Sequence, residues 1–191
     1  MKPTLTMFLS IFTVLLFVSC NTDAKKQSTT NQSTTSNVDK TKGQAFIKDD
    51  GSTPNVLQIA MGSPDHTTLV AAVQAADLEN TLVNAGPLMV FAPTNAAFDA
   101  LPEGTVANLL KPENKAALAN ILKYHVTPGN YSIKLLKKFK KLGQANNQYV
   151  TIEVKGDDVY IGGAKIIASI KAGNGIVHVI DKVLLPPTKE N

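Results

Sequence analysis

The sequence predicts an α+β domain whose helices come ahead of a mainly antiparallel sheet. Helical spacing, with caps and stops, fills residues 55–129. From Tyr149 to Ile180 the pattern changes to apolar residues at every second position, broken by tight turns. Between these patterns sits Leu88-Met89-Val90-Phe91, a short apolar run that reads as a strand buried on both faces. Pro93 has no N–H to give and ends that ladder. Thr94 or Asn95 can cap a helix carrying Ala97, Phe98 and Leu101, until Pro102.

The chain opens with a leader. Met1-Lys2 is a short basic start, and an apolar run from Leu5 to Val18 follows. That is the length of a signal-peptide core and short for a membrane span. The run ends Ser19-Cys20, which resembles a bacterial lipoprotein cleavage site, with Phe17 where such sites prefer Leu. Residues 1–19 are therefore expected to be removed, and Cys20 to become the lipid-bearing first residue. A thiol is the nucleophile that a lipid donor alkylates, and several acyl chains anchor stably. The expected location is outside the cytoplasm, lipid-anchored in the cell envelope, at the outer membrane or cell surface.

Residues 20–44 are rich in Ser, Thr, Asn and Gln, with Val38 as their one sizeable aliphatic side chain. Such a stretch cannot bury enough apolar surface to offset chain entropy and reads as a disordered tether. One folded domain is expected over residues 45–187, followed by a short tail at 188–191. Asn55 can open a helix bearing Val56, Leu57, Ile59 and Ala60, which Gly62 stops. Ser63-Pro64-Asp65 restarts helix, with Leu69, Val70, Val73 and Ala76 on one face. Short helices follow near residues 79–84 and 104–110. Pro112 begins a longer one that carries Leu118, Ile121, Leu122 and His125 on one face and stops at Pro128-Gly129. Val150, Ile152 and Val154 mark a half-buried strand, and Gly156-Asp157-Asp158 turns it into Val159-Tyr160-Ile161. Gly162-Gly163 and Asn174-Gly175 supply the next two turns, and Ile176 to Ile180 forms the last strand.

Composition bounds the function. The formal charge is +4, all the basic residues are Lys, and Trp is absent. Nucleic-acid readers rely on Arg forks, so no nucleic-acid partner is expected. The single Cys forms no internal disulfide. No G-x-S-x-G elbow is present, and His66, His125 and His178 share no metal-ligand spacing. Gly162-Gly163 lacks the spacing of a phosphate loop, so neither metal nor cofactor is expected. Asp157-Asp158 reads as a plain turn. His66 is expected to be exposed in a first helical turn. His125 and His178, on apolar faces, read first as core residues. Lys134 to Lys141 is the most distinctive charged run, either a solvated face or a patch for acidic polymers or anionic lipid headgroups.

Four ordered pieces carry a resemblance: Val90-Phe91-Ala92-Pro93-Thr94-Asn95-Ala96-Ala97-Phe98; Leu122-Lys123-Tyr124-His125-Val126; Pro128-Gly129; and Asn174-Gly175 through Pro186. Together they resemble a fasciclin (FAS1) domain over nearly all of residues 45–187. The resemblance implies a wedge of helices on a β-sandwich, and an extracellular adhesion module rather than an enzyme. It ties the pair Tyr124-His125 to adhesion. Where animal adhesive repeats carry Asp-Ile, this chain has Ser169-Ile170, so direct integrin binding is not expected. The expected function is a membrane-anchored binding module for extracellular protein or polysaccharide. The expected contact residues are Tyr124, His125, Lys137, Lys138, Lys140 and Lys141. A structural envelope protein without a soluble ligand and an envelope hydrolase are the alternatives. Oligomeric state is left open.

Overall fold

The computed structural model describes residues 53–84 and 86–187. The expected leader, Cys20, the tether, the first residues of the domain and the tail lie outside the described residues. Among the described residues no helix is long and apolar enough to cross a membrane.

The first half is helical. Asn55 and Gln58 cap α1 (Val56–Met61) reciprocally, each side chain taking the other's backbone N–H. A single 3-10 turn at Pro64–His66 leads into α2 (Thr67–Ala75), and α3 spans Glu79–Asn84. β1 (Leu88–Pro93) follows, buried at all six positions. Thr94 caps α4 (Asn95–Asp99) by accepting the Ala97 N–H. Asn95 instead reaches back, donating to the Pro64 carbonyl at 2.9 Å and accepting the Thr68 N–H at 3.0 Å. α5 is Thr105–Leu109 and α6 is Lys115–Tyr124.

Two expected boundaries move. β1 runs through Pro93, which pairs with Ile180, and the next backbone N–H, that of Thr94, bonds the Ile180 carbonyl. α6 ends at Tyr124 rather than at Pro128-Gly129, and β2 (Val126–Pro128) pairs antiparallel with β1. A β-branched Val and a Thr ahead of a Pro favour extended backbone.

The remaining elements are α7 (Ile133–Leu136), β3 (Lys141–Gly143), β4 (Tyr149–Lys155), β5 (Asp158–Ile161), β6 (Ala164–Ala172) and β7 (Gly175–Ile180). The sheet order is β2-β1-β7-β6-β5-β4-β3. All neighbours are antiparallel except β1 and β7. The sheet curls until its ends meet. Ala145 donates to the Val126 carbonyl at 2.7 Å, and buried Thr127 donates to Gln144 at 3.0 Å. Its halves thus face each other across a core, as the layers of a sandwich do.

Strand alternation divides the apolar residues into two clusters. Met89 and Phe91 of β1 point into the curl of the sheet, with Leu136, Val150, Ile161 and Ile180. Leu88, Val90 and Ala92 point the other way, against Val56, Leu69, Val73 and Leu122 of the helices. The double-sided burial of β1 thus makes it the shared wall of both cores. Each large side chain buried there is worth about 1.5–3 kcal/mol.

Candidate binding surface and the histidine core

The expected contact residues separate into two groups. Tyr124 and His125 are core residues. Tyr124 is 5% exposed, and its hydroxyl donates to the Tyr149 carbonyl at 3.1 Å. Burial pushes its pKa up. His125 is 3% exposed. Its Nδ1–H donates to the Ile121 carbonyl, and its Nε2 accepts the Leu184 N–H, each at 2.9 Å. Those partners fix the neutral tautomer. Burial is the larger influence, the Ile121 carbonyl opposes it, and the pKa falls from 6.5 to about 4. The ring joins the end of α6 to the segment after β7.

His178 plays the same part inside the curl. It is fully buried and stacked on Phe91 at 6.0 Å between ring centroids. Its Nε2–H donates to the Tyr131 carbonyl at 3.0 Å, so Nδ1 accepts the Ser169 hydroxyl at 2.6 Å. Burial again lowers the pKa, against the Tyr131 carbonyl. Among the described residues Ser169 and His178 come closest to a nucleophile–base pair. A backbone carbonyl, rather than a carboxylate, orients the imidazole.

His66, expected to be exposed, is buried. The 3-10 turn winds tighter than an α-helical turn and rotates the ring inward. There Nδ1 meets the Ser63 hydroxyl at 2.9 Å, so Ser63 serves the imidazole rather than the helix start. Desolvation lowers its pKa, and Asp65 pulls it the other way. The Ala92 backbone also raises it. The three histidines lie on separate elements, and among the described residues no His/Cys/Asp/Glu group could hold a metal ion.

The lysines form the exposed group. α7 buries Leu136 completely, which pins the segment, and leaves Lys134, Lys137, Lys138, Lys140 and Lys141 exposed. Phe139 packs edge-on against Tyr131 at 5.5 Å and remains 36% exposed. Lys137 lies 3.8 Å from Asp157, a loose pair with a fully solvated carboxylate. Asp157 thus sits in the β4–β5 turn, as expected, beside the basic segment. Lys141 pairs in register with Thr151, placing the end of the run on the sheet edge. The result is an exposed basic ridge with apolar surface from Leu135, Phe139 and Tyr149 nearby in sequence or register.

The Fasciclin domain model matches residues 64–186. The chain belongs to the fasciclin family. Protein sll1483 of Synechocystis is 47% identical over 133 residues, covering 69% of this chain and 73% of the relative. Immunogenic protein MPB70 of Mycobacterium bovis is 36% identical over 138 residues, covering 69% of each. Cell surface glycolipoprotein MPB83 of the same species is 34% identical over 140 residues, covering 70% of this chain and 61% of the relative. The fold matches that of a FAS1 domain pair from the insect cell adhesion molecule Fasciclin I, with a TM-score of 0.63 and 18% identity. That match covers 71% of this chain and 52% of the insect one, so the chain spans about half of the solved pair. The α+β fold expected from the sequence is therefore the fasciclin fold.

Proposed function

We propose that this fasciclin domain is an extracytoplasmic binding module. It attaches to acidic polysaccharide or to acidic surfaces of extracellular proteins through Lys137, Lys138, Lys140 and Lys141. The observation that carries this reading is the ridge itself. Four lysines stand exposed on a segment held in place by the buried Leu136, with apolar surface from Phe139 beside them. A concentrated cationic patch attracts polyanions even on a domain whose total charge is nearly balanced. Tyr124 and His125 contribute by fixing the framework.

We further propose that Cys20 carries lipid and that residues 20–44 tether the domain to the membrane. The apolar leader and the Ser-Cys junction support this, and a curated relative is named a cell surface glycolipoprotein. The test is an array of acidic and neutral polysaccharides and matrix proteins probed with purified chain, beside a hydrolase substrate panel. Retention on acidic partners without turnover supports the reading. Turnover of any substrate, abolished by Ser169→Ala in a folded protein, would replace it with an enzymatic one.

A further inference from the structure

Between the helices and β1 lies a cavity of about 170 Å³. Leu57, Ala60, Val73, Leu82, Val90 and Val177 line it from α1, α2, α3, β1 and β7. Protein interiors rarely leave voids larger than a water molecule. This one is comparable to the engineered apolar cavities of about 150 Å³ that stay dry and bind benzene. A water inside would find few of the two to four polar partners it needs. The polar side chains in the lining are Thr81, Lys123 and His125. Both nitrogens of His125 are engaged, with Ile121 and Leu184, so the ring offers only its carbon edge. Thr81 and Lys123 are exposed and therefore mark the rim. Lys123 enters none of the ion pairs among the described residues.

We propose that this cavity is a binding site for a small monoacyl anion. An apolar tail of about six to eight carbons fills it, and the carboxylate lies toward the Lys123 ammonium. The volume sets the tail length, the apolar lining sets its chemistry, and the Lys123 cation at the rim sets the charge of the head. The site lies on the helical side of β1 and is independent of the basic ridge.

The test is a titration of the full chain with hexanoate, octanoate and decanoate, followed by methyl NMR. Saturable shifts are expected at Leu57, Val90 and Val177. Affinity should rise about fourfold per added methylene and level off near eight carbons. Octanol should bind up to about fivefold more weakly than octanoate, and Lys123→Gln should erase that difference. Ala60→Leu, which fills the cavity, should abolish the shifts. Val70→Phe does the same from a half-exposed lining position, should the first variant fail to fold. Absence of saturable shifts at these methyls with millimolar octanoate would overturn the proposal. So would unchanged binding in a folded, cavity-filled variant, or shifts confined to Lys137–Lys141. Protein-concentration-dependent shifts at the same methyls without ligand would assign the cavity to a second copy of the chain and overturn it as well.

Discussion

The Asn174 side chain accepts the Val56 backbone N–H at 2.9 Å, across 118 residues of chain. The same amide donates to the Leu82 carbonyl at 2.8 Å. One turn residue thus satisfies an open N–H at the start of α1 and a carbonyl near the end of α3. The Asn-Gly pair that turns β6 into β7 also fastens the helical layer to the sheet. Replacing Asn174 with Ala should cost about 2–3 kcal/mol, because both backbone groups lose their partner. Urea unfolding followed by circular dichroism measures this. A loss below about 0.5 kcal/mol, the range of ordinary surface changes, would show that the bonds carry no net stability.

Gly175 occupies the tightest point of the sheet. A Cβ there would come within 1.8 Å of the Leu88 carbonyl oxygen, a backbone atom that the β1–β7 register holds in place. Gly175→Ala should therefore break the parallel pair and destabilise the domain by more than about 4 kcal/mol. Gly86→Ala is the control, since a Cβ there meets nothing within 4 Å. Soluble yield and thermal unfolding of the two variants should differ sharply; matching behaviour would mean that the register tolerates a shift.

Acid should weaken the fold through its histidines. His125 has a folded pKa of about 4 against an ordinary 6.5. The unfolded chain therefore binds more protons between those values, and stability rises with pH there. The contribution is complete above about pH 6.5 and lost as pH falls through about 4, amounting to about 3 kcal/mol. His66 and His178 are shifted the same way, so they add to the same slope. Urea midpoints at pH 7 and pH 4.5 read the effect, and His125→Gln should flatten it. An unchanged midpoint across that range would contradict the buried neutral imidazole.

The proposed anchor makes its own prediction. Cells given a radiolabelled fatty acid should label the wild-type chain, and Cys20→Ala should lose the label and partition to the soluble fraction. Labelling that persists in the variant would remove Cys20 from the account.

Much of the fold was legible because it is local. Thr94 capping α4, Asn55 opening α1, and the β4–β5 hairpin each depend on residues within one turn of each other. The parallel pairing of β1 with β7 was not legible, because it joins residues 88–93 to 175–180 and leaves no short-range signal. The burial of His66 carries no sequence signal, because one 3-10 turn rotates a side chain from solvent to core without changing the composition around it. The end of α6 is hidden in the sequence because His125 continues the apolar face even though the backbone has already left the helix. The lysine ridge was visible as a charged run, but its immobilisation by Leu136 needed the packed structure. The cavity left no trace in the sequence, since it depends on how side-chain volumes from five elements fall short of filling a space.

Contact through the basic ridge is what the proposed binding function requires. Retention of the purified chain on a heparin-type acidic polysaccharide, measured across a salt gradient, tests it directly. The wild type should bind and release with rising salt. Replacing Lys137, Lys138, Lys140 and Lys141 together with Gln should weaken binding about tenfold or more while leaving the unfolding midpoint unchanged. Equal, salt-dependent retention of the wild type and the fourfold variant would contradict the account.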